Sequence, residues 1–276
     1  MRSARFSELF CAFLFTFPLW AQQGASTQPA SVTKPVLDPQ AVGIVNQALA
    51  VAGGATAISA IHDYRASGNI TYHSNPVVQA SVTLSGLGLD QFRQDANLPT
   101  GVRSLAISQG KMNQKLEDGG VLLMNTIPPL SPSSLAFPYP LLIGALTRPG
   151  YSVSYIGIVQ IDGHSAHDIR VQPFLPDTVD AKDLIAALQA TDFLIDTSTF
   201  QILMIQDMIR TIRDMSVGHL HEIRFSDYRN VNGVLAPFSV NETIGGQKAR
   251  DITLDNIRFN SGLLDTDFQL SSSTGR

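Results

Sequence analysis

The sequence predicts an α+β protein that is mainly β and built on one antiparallel sheet. Three observations lead there. From Asp63 onward, apolar and polar residues alternate with the period of two that half-buried strands show. The alternating runs are divided by turn chemistry, including Asp162-Gly163, Asn232-Gly233 and Gly245-Gly246, and hairpins without crossover helices make neighbouring strands antiparallel. The run 200–212 is apolar on both faces, with Ile202, Met204 and Met208 on one and Leu203, Ile205 and Ile209 on the other. Such a strand must be covered on both sides, by a helix on one of them.

The chain opens with an export signal. Arg2 and Arg5 precede an apolar run over 9–19, and Ala21 supplies the small residue of a cleavage site, so 1–21 reads as a signal peptide and the protein as periplasmic or secreted. Cys11 is the one cysteine of the chain and lies within the signal. Phe10, not a small residue, stands before it, which argues against lipid attachment. The exported chain then has no disulfide, thiolate nucleophile or cysteine metal site. No later apolar run reaches the ~20 residues of a membrane span, so no transmembrane segment is expected.

Residues 22–37, rich in Gln, Ser, Thr, Pro and Ala, read as a flexible linker. A single domain is expected over 38–270, with a disordered tail at 271–276. Asp38-Pro39 sets a helix start, Val42, Val45, Leu49 and Ala52 follow at helical spacing, and Gly53-Gly54 ends the segment. A short helix over 55–61 follows, then strands at 64–72, 77–84, 89–96 and 102–108. Six prolines (128, 129, 132, 138, 140, 149) mark 127–150 as a candidate cover with a helical turn at 140–148. Strands are predicted at 151–161, 165–171, 192–196, 200–212, 219–230, 234–244 and 247–259, with a helix or ordered loop over 180–190.

Several pieces, in order, are similar to one family. Ile107-Ser108-Gln109-Gly110-Lys111 resembles its strand–turn Ser-Asp-Gly-Lys, and Ile161-Asp162-Gly163-His164 its glycine-centred hairpin. Phe193 to Thr199 is similar to its turn after an Ile-Asp pair. Phe225-Ser226-Asp227-Tyr228 with Val231 to Phe238 is the most specific block, and Asn260 to Phe268 matches the family's closing segment. The family is the LolA-like periplasmic lipoprotein carrier superfamily, which includes RseB-like sensor proteins. The resemblance covers about 38–270. It implies an incomplete barrel: a strongly curved antiparallel sheet covered on its concave side by helices and loops. It also implies a hollow for a lipid or acylated chain, with a lipoprotein or envelope protein as a further partner. The long insert 127–150 and the extra segment 173–190 depart from the carrier.

A binding hollow needs apolar walls, and Phe92, Tyr155, Phe193, Ile202, Met204, Met208, Phe225 and Phe238 are the candidates, the methionines because a thioether adapts to varied shapes. Arg65 and Arg93 interrupt the alternation and are candidates for a polar gate, as inward arginines that bind cover carbonyls or a head group. Arg224 and Glu242 interrupt it too. His219 and His221 share a strand face at a spacing zinc can use, but a metal site needs a third ligand; His164, His167 and Asp168 form a second group. Gly163-His164-Ser165-Ala166-His167 sits on a hairpin and not at a nucleophile elbow, and no glycine-rich phosphate loop precedes a helix. No cofactor is expected. A net charge of −4 without a basic run gives no electrostatic footprint for nucleic acid. The sequence thus points to a non-enzymatic lipid binder, with a protein-interaction or sensor module as alternative and a metal-dependent hydrolase third.

Overall fold

The computed structural model describes residues 34–124, 126, 128–211 and 213–271. The predicted signal peptide, most of the linker and the last five residues of the tail lie outside them. Helix α1 (Pro39–Val51) starts where Asp38 Oδ1 accepts from the Gln40 amide at 2.8 Å, and it buries Ala41, Ile44, Val45, Ala48 and Leu49 as one stripe. Gly53, at φ +120°, brings the end of α1 against the backbone of a later hairpin. A Cβ there would lie 2.3 Å from Gly233 O, so the approach requires glycine. Helix α2 (Ala55–Ser59) follows.

The first meander is β1 (Asp63–Tyr72), β2 (Val78–Leu87), β3 (Gln91–Leu98), β4 (Gly101–Ser108), β5 (Lys111–Lys115) and β6 (Val121–Leu123). Next comes α3 (Tyr139–Thr147). The second meander is β7 (Tyr151–Ile161), β8 (His164–Pro173), β9 (Thr191–Asp196), β10 (Ile202–Thr211), β11 (Asp214–Val231), β12 (Val234–Ile244) and β13 (Gln247–Phe259), with α4 (Lys182–Leu188) between β8 and β9. Antiparallel pairing of β1 with β13 joins the two meanders into one sheet of order β6-β5-β4-β3-β2-β1-β13-β12-β11-β10-β9-β8-β7. The sheet is not closed into a barrel, and the predicted mainly β half-barrel is the observed fold. Strand β3 begins two residues later than predicted, because 88–90 form the turn whose carbonyls at Gly88 and Leu89 accept from Ser133 and Ser131 hydroxyls.

The main core lies between the concave face and the helices. Phe137, Tyr139, Leu141 and Leu142, from the proline-rich insert, are buried in it with α1 and with Phe92, Phe193, Ile195 and Phe225. Each such side chain contributes roughly 1.5–3 kcal/mol by leaving water. The Tyr64 hydroxyl donates to Ser133 O at 2.8 Å, so 132–147 is built into the core. Residues 36–38, from the end of the predicted linker into the start of the domain, pair along β7: the Val153 amide donates to Val36 O at 2.8 Å and the Asp38 amide to Val153 O at 2.9 Å.

The assignment of faces on β10 needs one correction. Its pairing with β9 shifts register between Ile202 and Met204, so Leu203 is an extra residue and the alternation inverts there. Ile202 and Ile205 therefore share the main core, whereas Met204 packs with Ile161, Ala166 and Leu194 in a separate cluster. The sequence reading had Ile202 and Met204 on one face.

Candidate functional site

A hollow of about 380 Å3 opens on the concave side beyond the filled core. Its apolar wall is Leu105 and Ile107 on β4, Met112 on β5, Ile209 on β10 and Ile244 on β12, with Met124, Pro129 and Leu135 arching over it. The segment above is tied down at its start: the Met124 amide donates to Met112 O at 2.8 Å, and Thr126 bridges to Thr211 on β10. Of the described residues of the proline-rich insert, Pro129 and Leu135 border the hollow.

A belt of charged and polar side chains crosses the floor, each from a different strand. Asp207 on β10 stands 2.8 Å from His221 Nδ1 on β11, and His221 Nε2 stands 2.7 Å from Glu242 Oε1 on β12. Glu242 Oε2 accepts from Arg250 Nε on β13. Arg250 Nη1 donates to Gln94 Oε1 on β3 at 2.5 Å, and Gln94 Nε2 to the Tyr72 hydroxyl on β1 at 2.9 Å. Arg103 on β4 lies with its guanidinium 5.6 Å from the Tyr72 ring centre and its Nη2 2.5 Å from Glu117.

Electrostatics hold His221 and Glu242 ionised. Burial alone would lower the His221 pKa, but the hydrogen bonds to Asp207 and Glu242 outweigh it and raise the value to about 9. Burial opposes ionisation of Glu242 as well, yet Arg250 and the His221 hydrogen bond hold its carboxyl well below the usual range. With both ring nitrogens facing carboxylates, His221 has no lone pair left for a metal. His219, on the same strand, is exposed. Among the described residues no group of three His, Cys, Asp or Glu side chains is arranged around a metal site. His164 stands 3.2 Å from Asp196 Oδ2, while His167 lies between the rings of Tyr155 and Phe200 at 5.9 and 6.2 Å.

None of the eight predicted wall residues borders this hollow. Phe92, Phe193, Ile202 and Phe225 lie in the filled core, with Tyr155 half-buried against it. Phe92 borders a small gap shared with Leu135, Glu242 and Arg250, next to the hollow. Phe238 is buried beneath the Arg229 guanidinium, 4.4 Å from its ring centre. The inversion at Leu203 turns Met204 and Met208 to the other face, where Met208 is exposed. Arg65 is exposed, and Arg93 binds Asp95 at 2.8 Å and the Asp267 carbonyl at 2.7 Å, which ties down the 265–268 turn.

Of the belt, Glu242 and His221 stand out in the sequence, while Asp207, Arg250, Gln94, Tyr72 and Arg103 are hidden in the apolar alternation. Glu242 sits in register with Val240 and Ile244, His221 with Ile223 and Phe225, Gln94 with Phe92 and Ala96, and Arg250 with Ile252. The signal was a polar residue on the core face of strand after strand, which single-strand inspection treats as separate exceptions.

No protein-family model matches the chain, and no curated protein matches it in sequence. Solved structures do match. A putative outer membrane lipoprotein-sorting protein domain from Vibrio parahaemolyticus is 12% identical with a TM-score of 0.51, over 83% of this chain and 96% of that one. A DUF1329 family protein from Desulfovibrio piger is 13% identical with a TM-score of 0.50, over 86% and 98%. A LolA superfamily protein from Nitrosomonas europaea is 11% identical with a TM-score of 0.49, over 83% and 97%. The first two likenesses show a shared fold across nearly the whole length of both partners.

Proposed function

We propose that the chain is an exported binding protein that takes a lipid or acylated chain into the hollow and performs no chemistry on it. The observation that carries this reading is the hollow itself, open on the concave side of the half-barrel beside its packed core. Its volume falls within the ~300–1,000 Å3 range of ligand pockets, and its walls are apolar with a few polar groups converging on the floor. The Vibrio domain of the same fold carries lipoprotein sorting in its name, which supports an apolar cargo and a periplasmic setting. Uptake would be driven by removing apolar surface from water at ~25 cal/mol per Å2. Because Ser131 and 132–147 are tied into the core, entry is placed beside Met124, Thr126 and Pro129, a narrower mouth than the whole proline-rich insert. The predicted aromatic set around Phe92, Phe193 and Phe225 serves as the packed base beside the hollow.

A hollow-filling variant tests this. The wild-type protein should enhance N-phenyl-1-naphthylamine fluorescence saturably. Met112→Trp should lose at least about tenfold in affinity while keeping its urea midpoint. Equal binding by both proteins would place the apolar site elsewhere.

One observation favours the protein-interaction reading as a second. Strand β7 ends the sheet, and its outer edge beyond Val153 carries exposed Ile156 and Ile158. An extended peptide could add there as a further strand. Absence of probe binding in the wild type would turn the assignment toward this edge.

A further inference from the structure

We infer that the hollow selects an amphiphile with an anionic, hydrogen-bond-accepting head, held by Tyr72, Arg103 and Arg250. The inference rests on the ligand reading above and narrows it to a chemical class.

The hydrogen-bond inventory of the belt is uneven along its length. Across β10 to β12, the carboxylates of Asp207 and Glu242 already face His221, and Glu242 also takes Arg250 Nε. At the other end donors are in surplus. Arg103 Nε is buried and has no partner among the described residues, although Nη2 of the same guanidinium reaches Glu117. The Tyr72 hydroxyl accepts from Gln94 and shows no acceptor for its own hydrogen among the described residues. Burial raises the Tyr72 pKa against the pull of Arg250 and Arg103, so the hydroxyl stays protonated and remains a donor. A buried donor without an acceptor is costly, and a ligand oxygen that reaches it removes the penalty. Two guanidiniums flanking a phenol favour an anionic oxygen pair such as a carboxylate or phosphate over an ester.

The hollow also admits a tail, since its volume of about 380 Å3 lies within the ~300–1,000 Å3 range of ligand pockets. Leu105, Ile107, Met112 and Ile209 border the same space as the donors, so head and tail are accommodated together.

The test is calorimetric titration of the purified protein with dodecanoate, dodecyl phosphate and methyl dodecanoate, repeated on Arg103→Gln and Tyr72→Phe. Binding of one anionic amphiphile per chain is expected, at least tenfold tighter than the methyl ester. Each variant should erase most of that margin and leave the ester's affinity unchanged. The tighter of the two anions identifies the head as a fatty acid's carboxylate or a phosphate. Equal affinity for acid and ester, or a margin that survives both variants, overturns the head assignment while leaving the hollow as a lipid site. Failure of all three ligands to bind overturns the ligand reading as well.

Discussion

His221 carries two carboxylates, one from each neighbouring strand, and that makes it the most consequential single residue of the belt. Its folded pKa of about 9 lies above its ordinary 6.5, so its contribution to stability is complete below about pH 6.5 and is lost as pH rises through 9. Glu242 runs the other way: with its pKa depressed, its contribution is present above the usual carboxylate range and is lost on acidification. Urea unfolding of the wild type should show stability falling from about pH 6.5 to 9.5. His221→Gln should start lower at neutral pH and lack that slope; a variant with the wild-type slope would show that His221 is not the titrating group. Glu242→Ala leaves His221 and Arg250 buried side by side without their shared counter-charge, and should destabilise by about 3–5 kcal/mol at pH 7. A loss under 1 kcal/mol would mean the belt is hydrated and its pairs individually weak.

At the scale of elements, the strands were legible and their defects were not. Strands β7, β12 and β13 have the predicted limits, because alternation and Gly-centred turns specify both ends. The short strands β5 and β6 escaped, since Lys111 to Lys115 is largely polar and carries no apolar face to count. The extra residue at Leu203 was invisible for a related reason: Ile202 to Ile205 is apolar throughout, so the sequence holds no polar mark of where the alternation inverts. Gly68 is a second such irregularity and sits in the pairing that joins the meanders. The register of β1 on β13 shifts between Ser67 and Gly68, and a Cβ at Gly68 would lie 2.1 Å from Thr253 O. Gly68→Ala should therefore destabilise by at least about 1–3 kcal/mol in a urea titration, the range for forced overpacking. A neutral result would show that the β1–β13 seam can slide.

For the whole molecule, the architecture followed from local signals, while the hollow depended on relations no local signal contains. Hairpin after hairpin gives an antiparallel sheet, while its half-barrel curvature is what the resemblance alone implies. Which apolar residues fill the core and which line empty space is decided by how far α1 and the proline-rich insert reach across the concave face. Aromatic residues such as Phe193 and Phe225 went to the filled part, and smaller aliphatics with Met112 and Met124 to the open part. The central claim is that the open part holds an apolar ligand. The measurement that meets it most directly is mass spectrometry of organic extracts from the protein, purified from its host without detergent. A stoichiometric lipid, lost in Met112→Trp, is the predicted result. An extract that stays empty after exposure of the protein to total membrane lipid would contradict the account.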